Sequence, residues 1–160
     1  MDNDRTTLAH EILRRACQLQ EQGDLDTAIH LCRQSMALHP TAEAHSFLAG
    51  TLRVQGLLEE AITESRRAIE LDASRGVPYN DIGLCLIDLG RPNEAIPWLE
   101  QATRATRYAA FHLPWFNLGR IYLEQQLFGL ARDCFQHALD IDPDFQPARE
   151  ALDRVRCLIQ

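Results

Sequence analysis

The chain contains no lysine, and all sixteen of its basic residues are arginine. A Walker-type phosphate lysine, a Schiff-base lysine and a lysine general base are therefore excluded together. Long apolar runs are missing too. The opening MDNDRTTLAHEI is polar and mixed in charge, unlike a signal peptide or a membrane helix. A cytoplasmic protein without membrane insertion is expected. Cys17, Cys32, Cys85, Cys134 and Cys157 are odd in number, far apart and without a CxxC pair, so neither a disulfide framework nor a zinc module is indicated. They read as small buried or half-buried helix residues. With a net charge of -7 and a pI near 5.3 the chain repels a phosphate backbone, and nucleic acid is not an expected partner. No nucleophile elbow, paired-carboxylate site or glycine-rich phosphate loop occurs, and HEILR at His10 lacks the second histidine of a zincin. His30 and His137 have no second ligand at metal spacing either. No catalytic residue, cofactor or metal is expected.

What is present is a repeat. The 160 residues, 46% hydrophobic, suit one globular domain with a sizeable core. Ala28, Ala61, Ala95 and Ala131 recur at spacings of 33, 34 and 36 residues. Seven residues after each stand Ser35, Ala68, Ala102 and Ala138, and twelve before each stand Ala16, Ala49, Gly83 and Gly119. All twelve positions hold Ala, Gly or Ser, as close approach of two antiparallel helices requires. Larger residues flank the small ones: Leu48, Ile82 and Leu118 one position before, and Leu19, Leu52, Leu86 and Tyr122 three after, with Arg15 breaking the first column. Gly23, Gly56 and Gly90 lie five residues before their alanines, where a left-handed residue ends a helix, and Gln126 takes that slot in the fourth repeat. Acids in DLDTA, LLEEA and RPNEA then suit the start of a second helix. Pro78 and Pro114 open the first helices of repeats three and four, and Pro97 is placed to bend its helix. Strand signals are nearly absent.

This pattern resembles the tetratricopeptide repeat family, a helix-turn-helix unit of about 34 residues with the signature W-x2-L-G-x2-Y, A-x3-F, P. Repeat four matches in full through Trp115, Leu118, Gly119, Tyr122, Ala131, Phe135 and Pro143. Repeat three is close behind with Tyr79, Ile82, Gly83, Leu86, Gly90, Ala95 and Leu99. Repeats one and two depart, with Ile12 and His45 at the opening aromatic and Cys32 and Ser65 where an aromatic is usual. The resemblance implies an all-α fold, a right-handed α-solenoid of antiparallel helix pairs. A tail over 1–8 is expected, then repeats over about 9–41, 42–75, 76–111 and 112–145, and a capping helix over 146–160 whose Ala148, Leu152, Val155 and Ile159 cover the last repeat. The junction TRYAAFHLP carries two extra residues, which lengthen either the preceding helix or its loop.

By the same resemblance, first helices line a concave groove. His10, Leu13, Arg14 and Cys17 of repeat one and Glu43, Ser46, Gly50 and Arg53 of repeat two are expected to face it. So are Asn80, Asp81 and Leu84 of repeat three and Phe116, Asn117, Arg120 and Glu124 of repeat four. Asn80 and Asn117 suit a peptide bond, which needs a donor and an acceptor, while Arg53 and Arg120 offer forks for carboxylates. Phe47, Phe116 and Leu84 suit apolar pockets. Family members that clasp a C-terminal carboxylate with lysines are a poor guide to a chain with none. Trp98, on the second helix of repeat three, reads either as a convex anchor for a partner or as packing against the TRYAAF junction. The expected function is a non-catalytic scaffold or adaptor binding a peptide segment or partner protein in the groove. The alternatives are a dedicated chaperone or targeting factor for one client, or the interaction module of a larger enzyme; self-association through convex faces or end helices also fits the class.

Overall fold

A computed structural model describes residues 2–159, and Met1 of the expected tail and Gln160 of the expected capping helix lie outside them. Among the described residues there are nine helices and no strand. They are α1 (Asp2–Glu21), α2 (Leu25–Leu38), α3 (Ala42–Val54), α4 (Leu58–Leu71), α5 (Gly76–Asp88), α6 (Pro92–Arg104), α7 (His112–Glu124), α8 (Phe128–Ile141) and α9 (Gln146–Ile159). They fall into two compact units that divide between Ala73 and Ser74. In the first, α1 pairs with α2 and α3 with α4; in the second, α5 pairs with α6, α7 with α8, and α9 packs on α8. The expected tail is different in the structure, because helix α1 already begins at Asp2.

Backbone chemistry at the turns explains why each hairpin closes where it does. Gly23, Gly56 and Gly90 have φ of +85°, +81° and +73°, and Gln126 takes the same left-handed turn at +61°. In all four turns the next amide reaches back five residues, Asp24 to Leu19, Leu57 to Leu52, Arg91 to Leu86 and Leu127 to Tyr122, over 2.8–2.9 Å. That bond satisfies a carbonyl the helix end would leave open. Asp24 and Thr41 cap α2 and α3 by accepting from the amides of Thr27 and Ala44. Gln55 at the end of α3 donates to Asp26 of α2 over 2.6 Å, and Gln125 at the end of α7 donates to Asn93 of α6 over 2.7 Å. The same tie thus joins successive hairpins in each unit.

All twelve small positions are buried. Ser35 keeps its place among them because its hydroxyl donates to the Ala9 carbonyl over 2.7 Å. At Gly83 an added Cβ would lie 2.6 Å from the Leu99 side chain, and at Gly119 2.6 Å from the Phe135 ring. The junction before repeat four lengthens the loop, since α6 stops at Arg104. This loop folds back on the start of α5: Arg107 donates to the Ser74 carbonyl over 2.9 Å and accepts from the Gly76 amide over 3.0 Å. Tyr108 then covers Gly76 so closely that a Cβ there would stand 2.5 Å from its ring. Burial, and next the Asp81 carboxylate, hold the Tyr108 phenol well above the ordinary tyrosine range.

Candidate partner-binding site

Within the second unit, the neighbouring first helices α5 and α7 carry seven of the expected groove residues. Asn117 donates its side-chain amide to the Asn80 carbonyl oxygen over 3.1 Å, and the two residues are 5% and 4% exposed. This buried pair is a tie between α5 and α7. Much of the amide chemistry expected to meet a peptide is therefore spent inside the protein, because a buried amide must be paired wherever it lies. One turn further along α5, Leu84 is half-buried, and Arg120 is exposed on α7. Phe116 is half-buried and packed from two sides, its ring 5.7 Å from Phe135 and 5.1 Å from Phe145, against the cluster that includes Leu152 and Val155 of α9. The capping helix thus sits over the ring that sequence reasoning assigned to a pocket. Glu124 is exposed and Asp81 half-buried.

In the first unit, Phe47 and Arg53 are half-buried on α3, and Ser46 is buried with its hydroxyl turned back on the Ala42 carbonyl. Leu13 is buried as well, while His10 and Arg14 are exposed on α1. Cys17 is half-buried, and burial followed by the Glu43 carboxylate raises its thiol pKa. His45, at the slot of the opening aromatic, is buried with Nδ1 2.6 Å from Glu64, whose other oxygen accepts from Arg67 over 2.7 Å. The sequence marked His45 only as a departure; its partner, nineteen residues away on α4, carries no local signal. In the second unit the same slot is aromatic on aromatic: Tyr79 lies 6.3 Å from Trp98, and Trp115 lies 4.5 Å from His137. Trp98 is half-buried, and among its contacts is this ring on its own hairpin. No group of three or more His, Cys, Asp or Glu side chains able to hold a metal occurs among the described residues, and no described helix is long and apolar enough to cross a membrane.

Helix pairs closed on small residues and left-handed turns, with no strand among the described residues, define the all-α helical-repeat class. Sequence models of the tetratricopeptide repeat match residues 13–77 and 77–144. Human tetratricopeptide repeat protein 7A is 30% identical over 138 residues, which are 86% of this chain and 16% of that protein. The chain thus spans less than a fifth of that relative. Among solved structures, PilF of Pseudomonas aeruginosa superposes with a TM-score of 0.87 at 21% identity, over 95% of this chain and 69% of that one. PilW, a type IV pilus biogenesis factor, gives 0.84 at 22%, over 94% and 70%. YrrB, described as having an unusual peptide-binding site, gives 0.69 at 18%, over 92% and 75%. The chain belongs to the tetratricopeptide repeat family, whose repeats serve in general as protein–protein interaction scaffolds.

Proposed function

We propose that this chain is a non-catalytic, cytoplasmic adaptor that binds an extended peptide segment of a partner protein on the α5–α7 face of its second unit. The observation that carries the reading is the Asn117–Asn80 bond. It holds two first helices in fixed register beneath Leu84 and Arg120, so the surface is formed before a ligand arrives and little ordering cost falls on this side. Leu84 supplies apolar contact and Arg120 a fork for an acidic side chain or a terminal carboxylate. Asn80 and Asn117 act as the floor of the site rather than its hooks. YrrB, with its peptide-binding site on a related fold, supports the class of ligand.

The test is selection of random twelve-residue peptides on the immobilised chain, followed by fluorescence anisotropy with the winners. Arg120→Glu and Leu84→Asp are expected to weaken binding at least about ten-fold, with helicity unchanged by circular dichroism. Equal affinity for the wild type and both variants would remove the site from this face.

A further inference from the structure

On the other side of the second unit, α6 and α8 flank α7 and leave a pocket of about 410 Å3 between them. Its lining includes Trp115 and Tyr122 from α7, Glu100 and Arg104 from α6, and Asp133 and His137 from α8. Trp115 and Tyr122 are half-buried, and Trp115 is backed by the His137 ring at 4.5 Å. Both aromatic side chains thus border a space large enough for one long side chain, with His137 also in its lining. Glu100 is half-buried beside them, and its carboxylate has no hydrogen bond or ion pair among the described residues. Its charge is therefore open to a cation from outside. The local potential has the matching sign. After burial, Asp133 and Glu100 help push the Cys134 thiol up to about 11, and Cys134 and Glu100 raise Tyr122. Arg104, four residues after Glu100 on α6, lines the pocket as well but is exposed, and Arg132 holds Asp133 at the surface over 2.8 Å, so the two carboxylates of the lining outnumber its one arginine.

We propose that this pocket receives one arginine side chain of a partner polypeptide, stacked on Trp115 and Tyr122 with Glu100 as its countercharge. A guanidinium suits both walls, because its flat face lies on an aromatic ring while its edge donates to a carboxylate. The site is independent of the α5–α7 face, so a partner can engage either one alone or both through different segments.

The peptide Ac-Gly-Gly-Arg-Gly-Gly-NH2 tests this by NMR titration of the two indole N–H resonances, with Trp98→Phe identifying that of Trp115. The Trp115 resonance is expected to shift in a saturable way, while the citrulline peptide, equal in shape but uncharged, binds at least about ten-fold more weakly. Glu100→Gln is expected to cause a similar loss while the rest of the spectrum stays in place, and Leu84→Ala with Arg120→Ala to leave the titration unchanged. A citrulline response as strong as that of arginine, undiminished binding by Glu100→Gln, or no saturable shift would overturn the proposal. Lysine matching arginine would overturn the assignment to a guanidinium.

Discussion

At the contact between the helices of each hairpin, the second unit places glycine on the first helix and a large side chain on the second, Gly83 with Leu99 and Gly119 with Phe135. The first unit puts alanine, Ala16 and Ala49, in the glycine column and Cys32 and Ser65 in the column of the large residue. All eight are buried. The repeat therefore constrains burial at the crossing more than the identity or size of either residue. The first unit makes up for its lighter contact with directional bonds: Cys32 Sγ donates to the Ala44 carbonyl over 3.3 Å, and His45 meets Glu64. The second relies on rings, with Trp115 on His137 and Phe116 on Phe135.

The sharpest way to break this comparison is truncation in matching columns. Phe135→Ala is expected to cost about 3–5 kcal/mol, since a fully buried ring leaves a cavity its neighbours fill only in part. Cys32→Ala, in the same column, loses one small atom and a weak bond and is expected to cost about 1 kcal/mol. Urea unfolding followed by circular dichroism measures both, and equal losses would show that the units do not divide their packing in this way. The next change adds volume instead of removing it. Gly119→Ala drives a Cβ into the Phe135 ring and is expected to cost about 1–3 kcal/mol by overpacking. Importing the second unit's arrangement into the first, Ala49→Gly with Ser65→Leu, is expected to cost less than the two single changes summed, by about 1 kcal/mol.

The parts of this fold legible in the sequence are those fixed by local backbone or by one repeated close approach. Gly23, Gly56 and Gly90 announce left-handed turns, and the small columns announce hairpins, because the same constraint recurs in each repeat. Contacts between unlike positions were not legible. Asn80 follows its opening aromatic Tyr79 by one residue and Asn117 follows Trp115 by two, so the buried pair crosses columns and escapes any alignment of repeats. For the same reason Gly76 gave no signal: its need for space comes from Tyr108, thirty-two residues on, in a loop outside the period. The candidate site was readable as a face but not as a surface. Helical spacing says which side of α7 Phe116 occupies, and only packing of α9 and Phe145 says how much of its ring is covered.

Ser65 gives a smaller effect of opposite sign. Its hydroxyl is buried and has no hydrogen-bond partner among the described residues, in the column where Cys32 does find a carbonyl. Ser65→Ala removes a polar atom that folding strips of water without return, and a gain of about 1 kcal/mol in unfolding free energy is expected. A loss would mean the hydroxyl has a partner in solution.

The smallest change probes the one place where the second unit departs at its turns. The first unit has glycine at both left-handed positions, while the second has Gly90 in one and Gln126 in the other. A residue with a Cβ in that conformation bears about 1–2 kcal/mol of strain. Replacing it with glycine relieves the strain but also loosens the unfolded chain, which takes back about 0.5–1 kcal/mol. Gln126→Gly is therefore expected to stabilise by about 0.5–1 kcal/mol. Gly90→Ala, with no atom within 4 Å of the added Cβ, is expected to destabilise by a similar amount through the backbone alone. The two changes are mirror images at equivalent turns of one unit, so urea midpoints moving in opposite directions would isolate backbone conformation as the cause. Movement in the same direction would mean that Gln126 holds its turn through side-chain contacts.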